Sequence, residues 1–261
     1  MEYTDIAYQV SELIATITIA RPRRLNAFRG RTVEELLHAF KRAWADPAVA
    51  VVILTGAGDK AFCVGGDQIE YVENKSYGTS ANGLWEIDEL HLAIRDIPKP
   101  VIAAVNGYAI GGGHVFHVLC DITLAAENAK FGQAGPKVGS FDAGWGTAIL
   151  TRTVGEKRAR EIWYFCRQYT AQEAYSWGLV NKVVPQAELM EEARAWARET
   201  AAMSPMALRT LKHAFNADSA HAYGQAKMAA DVMRVFGTSD EAMEGKNAFA
   251  EKRKPDFSPY R

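Results

Sequence analysis

Lys99-Pro-Val-Ile-Ala-Ala-Val-Asn-Gly-Tyr-Ala-Ile-Gly-Gly-Gly-His114 joins an apolar run, Val101 to Val105, to a glycine-rich loop, and that loop leads into the apolar stretch Val115-Phe-His-Val-Leu119. A continuous apolar run of strand length, set off here by Pro98 and Pro100, marks a strand covered on both faces, as in parallel α/β sheets. The glycines place bare backbone at the end of such a strand, where open α/β sheets bind ligands. The following helix would aim its N-terminal N–H groups at the loop and so favour developing negative charge there.

The same pattern recurs on either side. Ala48 to Thr55 is a second buried run, followed by the loop Phe62-Cys-Val-Gly-Gly-Asp67, and Asp121 to Ala126 is a third strand. Upstream, Ala7 to Ala20 partly alternates and reads as a hairpin closed by Pro22. Thr32 and Glu35 form a capping box ahead of Leu36, Leu37, Phe40 and Trp44 at helical spacing. Strands alternating with helices predict a layered α/β core. Beyond about residue 145, capping boxes at Thr170/Glu173 and Thr238/Glu241 and a helix start at Ser204-Pro205 predict helices as far as Lys254. That region has too little β signal to extend the sheet, so it must cap the core or pack on another subunit. Residues 69–83 read as a polar, mobile loop beside the site.

Composition narrows the function. The 261 residues are 48% hydrophobic and 23% charged with a net charge of −1, which leaves no electrostatic footprint for nucleic acid. No window reaches the roughly eighteen apolar residues of a membrane span, and a cytoplasmic protein is expected. Cys63, Cys120 and Cys166 are odd in number and widely spaced, so they read as small buried hydrophobes, with neither a disulfide framework nor a metal site. Neither glycine loop has the phosphate-loop or dinucleotide spacing.

The runs FCVGGDQ (62–68), KPVIAAVNGYAIGGGH (99–114) and FGQAGPKVGSFDAGWG (131–146) resemble the crotonase (enoyl-CoA hydratase/isomerase) superfamily. Within it they resemble the branch of 2-ketocyclohexanecarboxyl-CoA hydrolase and 1,4-dihydroxy-2-naphthoyl-CoA synthase, over about Ile14 to Phe257. The resemblance implies an α/β crotonase spiral of ββα units with a C-terminal helical trimerisation region, divided as a core of residues 1–200 and a helical region of residues 201–261. It also implies a homotrimer or a hexamer made of two trimers, and an acyl-CoA substrate, with no redox cofactor. By motif position, the N–H groups of Gly66 and Gly112 hold the thioester oxygen. Such donors stabilise an enolate as it forms, by about 3–4 kcal/mol each in other acyl-transfer enzymes.

Hydratases of the superfamily carry two glutamates at positions that are Val115 and Gly135 here. Neither residue moves a proton, which argues against simple hydration and against an isomerase using either glutamate. The branch instead implies that Ser140 and Asp142 act on a 1,3-dicarbonyl substrate, although Asp142 could equally cap a helix beginning near Gly146. Gly135 further implies a bicarbonate held near Gln133 and Trp163 in place of the missing base; the third contact, a threonine in the synthases, is Ala134. Gly237 stands where both resembled enzymes have a C-terminal tyrosine, and Tyr77 matches a substrate-contacting tyrosine of the synthase. Arg23, Arg24, Leu25 and Ala27 match the segment along the pantetheine and phosphates, Val64, Asp67 and Gln68 beside the first oxyanion glycine are likewise expected to bind coenzyme A, and Phe249 and Lys252 match the adenine and 3′-phosphate contacts. The expected activity is hydrolytic ring cleavage of 2-ketocyclohexanecarboxyl-CoA or a similar cyclic β-keto thioester. The alternatives are naphthoyl-CoA synthesis from o-succinylbenzoyl-CoA and a noncatalytic CoA-ester binding protein.

Overall fold

The computed structural model describes residues 1–261 and divides its strands between two sheets. The strands are β1 (Ile6–Ser11), β2 (Ile14–Ile19), β3 (Val51–Gly56), β4 (Ala61–Cys63), β5 (Val101–Val105), β6 (Tyr108–Ile110), β7 (Ile122–Ala126), β8 (Lys130–Gly132), β9 (Tyr169–Thr170) and β10 (Lys182–Val184). The helices are α1 (Gly30–Ala45), α2 (Gln68–Asn74), α3 (Ile87–Asp96), α4 (Gly112–Leu119), α5 (Trp145–Val154), α6 (Glu156–Phe165), α7 (Ala171–Ser176), α8 (Leu189–Ala201), α9 (Pro205–Ala217), α10 (Ala222–Phe236) and α11 (Asp240–Ala250).

One sheet runs β1-β2-β3-β5-β7-β10 and the other β4-β6-β8-β9. Successive strand pairs, β3 with β4, β5 with β6 and β7 with β8, each place the longer strand in the first sheet and the three-residue strand in the second. The chain therefore climbs as a spiral. The long strands β3 and β5 are wholly buried, as their unbroken apolar runs require, and pair in parallel with Val52 opposite Val101. β1 and β2 form the expected antiparallel hairpin.

Several local expectations shift. The glycine loops follow β4 and β6 of the second sheet rather than the long buried strands, because three residues are too few to show a period. The C-terminal half does extend both sheets: β10 pairs in parallel with β7, and β9 pairs antiparallel with β8. Asn181 secures the former, its side chain accepting from the Thr123 N–H at 2.8 Å while its own N–H donates to the Thr123 carbonyl at 2.8 Å. The first half of the polar segment 69–83 lies in α2, whose start is capped by Asp67 accepting from the Glu70 N–H at 3.2 Å.

Helix boundaries move similarly. Thr32 lies inside α1, where its hydroxyl accepts from the Arg29 N–H, and Glu35 serves the hairpin instead, accepting from the N–H groups of Thr4, Asp5 and Ile6. Trp44 projects into solvent rather than the core. Ser239, not Thr238, caps α11, accepting from the Ala242 N–H at 3.2 Å. The Thr170/Glu173 box and the Ser204 cap form as expected. Cys63 and Cys166 are buried and all three cysteines are free. No helix is long and apolar enough to cross a membrane.

Candidate active site

Strands β4, β6 and β8 lie side by side in parallel, so the three segments that leave their carboxyl ends converge. These are Val64–Gln68, Gly111–His114 and Gln133–Asp142. They open onto a cleft of about 880 Å³. A fourth segment joins through a parallel bridge between Phe28 and Gly66, in which the Phe28 N–H donates to the Gly65 carbonyl and the Asp67 N–H to the Phe28 carbonyl. Because the neighbours of Gly66 make those bonds, its own N–H points to the opposite side, by the alternation of an extended chain. Gly112 opens α4, so its N–H is among those without a partner inside the helix.

The two glycine loops touch. A Cβ on Gly65 would lie 3.0 Å from the Gly112 nitrogen, one on Gly112 would meet the Phe28 ring at 2.6 Å, and one on Gly66 would meet the Tyr77 ring at 2.6 Å. Side chains are excluded on both sides, leaving two polarised N–H groups facing one cleft, an arrangement suited to an oxyanion.

Every site residue expected from sequence lines this cleft except Lys252, which follows α11 on the exposed surface. Asp67 and Arg24 are close, at 3.8 Å, but Asp67 is chiefly held by Arg21 at 3.0 Å, which also pairs with Glu70 at 3.4 Å. That network pins the first glycine loop to the end of the hairpin. Arg23 and Arg24 remain at the cleft mouth with Leu25 and Ala27. Tyr77 stacks on Trp85 at 5.3 Å and meets Tyr71 edge-on at 4.7 Å, and its hydroxyl accepts from the Gln68 amide at 2.7 Å. Burial pushes its phenol well above the ordinary range, so it stays protonated at neutral pH.

Two residues near the floor explain the missing glutamates. Val115 packs in the core, and a Cβ on Gly135 would lie 2.6 Å from the Ser140 carbonyl oxygen. The turn that carries Ser140 and Asp142 into the cleft, closed by the Ser140 N–H donating to the Gly135 carbonyl at 2.9 Å, leaves no room for a side chain at residue 135. Asp142 forms the contacts expected of a residue at the helix start and also faces the cleft. Its Oδ1 accepts from the N–H groups of Gly144 (3.0 Å) and Gly146 (3.3 Å) at the start of α5, while the residue also lines the cleft.

The model of the enoyl-CoA hydratase/isomerase family matches residues 9–259. The chain belongs to that family. Among solved structures, an enoyl-CoA hydratase from Mycobacterium avium subsp. paratuberculosis K-10 is 30% identical with a TM-score of 0.87, covering 98% of this chain and 100% of its own. A carnitinyl-CoA hydratase from Mycobacterium avium is 32% identical with a TM-score of 0.87, covering 98% of each chain. A probable enoyl-CoA hydratase from Mycobacterium thermoresistibile is 34% identical with a TM-score of 0.73, covering 88% of this chain and 95% of its own. The fold is thus the α/β crotonase fold, and this family member processes acyl-CoA esters.

Other residues of the cleft were not legible as site residues. Asp88 and His91 enter from α3, and Tyr71 enters from α2. Their sequence signal was slight: in Asp88-Glu-Leu-His91 an aspartate and a histidine stand three apart, on one helix face. Tyr71 reaches Gly237, its hydroxyl donating to the Gly237 carbonyl at 2.9 Å. The Lys246 ammonium donates to the same carbonyl at 3.2 Å and lies 4.7 Å over the Tyr71 ring. Burial pulls Lys246 down to about 8, and its further carbonyl acceptors, Gly139 and Ala242, favour the charged form. These contacts tie α2 to α11 across the cleft, with Phe249 at its edge.

In the same cleft as Gln133, the Trp163 indole N–H is buried without a partner. Gln133 is buried too, its amide 3.4 Å from the His114 ring, which burial pulls down to about 3 and so keeps neutral.

Proposed function

We propose that the enzyme hydrolyses the ring of a cyclic β-keto acyl-CoA such as 2-ketocyclohexanecarboxyl-CoA. The observation that carries this reading is the set of acids in the cleft. Both hydratase glutamate positions are apolar or bare, no glutamate lines the cavity, and of its aspartates Asp67 is engaged by arginine while Asp88 and Asp142 have no arginine or lysine ion pair and line the same cleft as Gly66 and Gly112. Water adds to the ring ketone. The bond between that carbon and the α-carbon then breaks, and its electron pair passes into the thioester enolate, whose oxygen Gly66 and Gly112 hold. Ser140, at the same floor, donates to the ketone oxygen as its charge grows. Protonation of the α-carbon gives a free carboxylate and an acyclic thioester, with one water consumed and no redox change. Coenzyme A lies along Arg23, Arg24, Leu25, Ala27, Val64 and Gln68, with Phe249 near the adenine. Lys252 would reach a 3′-phosphate only from the adjoining surface.

The synthase reading is favoured by one observation, the unpartnered Trp163 N–H in the cleft that Gln133 also lines. These donors fit a bicarbonate, which when bound would supply a base. Purified protein incubated separately with 2-ketocyclohexanecarboxyl-CoA, o-succinylbenzoyl-CoA and crotonyl-CoA, with and without bicarbonate, distinguishes these activities by product mass. Pimelyl-CoA is expected. Hydration of crotonyl-CoA at a comparable rate would overturn the reading, and bicarbonate-stimulated naphthoyl-CoA would replace it with the synthase.

We also propose that residues 201–261 pack both on the core and on neighbouring subunits in a trimer or a hexamer. Met206 and Phe215 on α9 and Met228, Val232 and Val235 on α10 are at least half exposed, apolar side chains that packing on a neighbouring subunit would cover. Sedimentation should give a multiple of three chains; a monomer at micromolar concentration would refute the assembly.

A further inference from the structure

We infer that His91 is the proton-accepting residue of this site, taking a proton from the attacking water and returning it to the α-carbon, with Asp142 stabilising the imidazolium in between. The inference deepens the ring-cleavage reading and rests on it. It names a base where the residues at 115 and 135 supply none.

The geometry has three parts. His91 and Asp88 are three residues apart on α3, which brings both side chains to one face, and both line the cleft together with Asp142 from the segment before α5. His91 is only 7% exposed, with its ring set edge-on to Phe116 at 5.8 Å, and its Nε2 is shut away from solvent with no hydrogen-bond partner. A buried polar atom left unpaired costs about 1–3 kcal/mol, and a catalytic role is one reason to retain it; the Nε2 atoms of His114 and His117 are also unpaired, but of the three histidines only His91 lines the cleft. Finally, Asp142 has committed Oδ1 to the backbone of α5 and is thereby fixed in place. A fixed carboxylate in the same cleft, though not hydrogen-bonded to the imidazole, favours the imidazolium through its charge.

The charges around the ring agree with this assignment. Burial holds the imidazole below its ordinary value, so it is neutral and able to accept a proton at pH 7, while Asp142, Asp88 and Glu89 pull in the other direction and favour the protonated form once it exists. Lys227, from α10, offsets Glu89 by pairing with it at 3.2 Å. Asp88 is itself pushed upward, mainly by burial, with Asp142 adding to the effect. From α4, Phe116 meets the ring edge-on. In the reaction, the water O–H proton moves to His91 as the water oxygen bonds to the ketone carbon; after the C–C bond breaks, the same proton passes to the α-carbon of the enolate and His91 returns to neutral.

Measuring turnover of the native enzyme, His91→Gln and Asp142→Asn from about pH 5 to about pH 8 tests this. The native kcat/KM should fall on the acid side, with a midpoint below that of a free histidine. His91→Gln should lose that limb together with a factor of about 10²–10⁴ in kcat, at nearly unchanged KM. Asp142→Asn should keep the limb, moved to lower pH. His91→Gln with native kcat and an intact acid limb would overturn the inference. A second measurement needs neither turnover nor a variant: ¹⁵N NMR of the histidines of the native protein with and without saturating acetoacetyl-CoA, an enolisable β-keto thioester. The His91 ring signals should move toward imidazolium on binding, and signals left unmoved at saturation would overturn the assignment. Native enzyme that leaves every cyclic β-keto thioester intact would refute the ring-cleavage reading, and the NMR result would then decide the role of His91 by itself.

Discussion

Asp142→Asn should lower kcat/KM for β-keto thioester cleavage by about 10²–10³-fold while leaving the protein folded. Asparagine retains an oxygen that can accept from the Gly144 and Gly146 N–H groups, and it caps helices as well as aspartate does, so α5 keeps its start. What is lost is the negative charge facing His91. Removing it makes the imidazolium harder to form, and the acid limb of the rate moves to lower pH. Asp142→Ala removes both functions and should cost about 1 kcal/mol of stability in addition. Comparing the two variants by thermal unfolding and by kinetics separates the cap from the charge, and native kcat/KM in Asp142→Asn would show that the cap is the whole role of the residue.

Gly113→Ala should have the largest effect on stability. The added methyl would lie 2.0 Å from the Cys63 carbonyl oxygen and 2.5 Å from its carbon, and neither belongs to a flexible side chain. β4 and α4 would have to separate, at a cost of about 3 kcal/mol or more. For a domain of this size that corresponds to a fall in melting temperature of roughly 6–12 °C. Turnover should fall further than the folded fraction does, because the same displacement parts Gly66 from Gly112. Gly224→Ala in α10 is the control: nothing lies within 4 Å of the added carbon, and alanine there should change stability by less than about 1 kcal/mol. Equal melting temperatures for the two variants would contradict the close approach of the loops.

What could be read in the sequence follows the length of each signal. β3, β5 and β7 announce themselves because a strand buried on both faces is continuously apolar. β4, β6 and β8, with three residues each, do not, yet they set the glycine loops side by side. β9 and β10 are shorter than or as short as these, and were hidden in a stretch otherwise dominated by helix caps. The site divides in the same way. Gly66, Gly112, Ser140 and Asp142 lie in local motifs, so their neighbourhood is written along the chain. His91 and Asp88 come from a helix that reads as ordinary amphipathic packing, and only its placement against α4 brings them to Asp142. Tyr71 meets Gly237 across 166 residues, beyond the reach of any local pattern. Lys252, taken from a motif at the end of α11, lies outside the cleft of the chain that carries it.

The central claim is that water cleaves a carbon–carbon bond in this cleft, and turnover of 2-ketocyclohexanecarboxyl-CoA in ¹⁸O-labelled water tests it most directly. The expected product is pimelyl-CoA carrying one ¹⁸O in its free carboxylate and none in its thioester carbonyl, formed by the native enzyme and reduced by about 10²-fold or more in His91→Gln. Label in the thioester-derived acid with release of free coenzyme A would mean simple thioester hydrolysis, and recovery of the intact ring would mean that the cleft acts on a different acyl group; either result would contradict the claim.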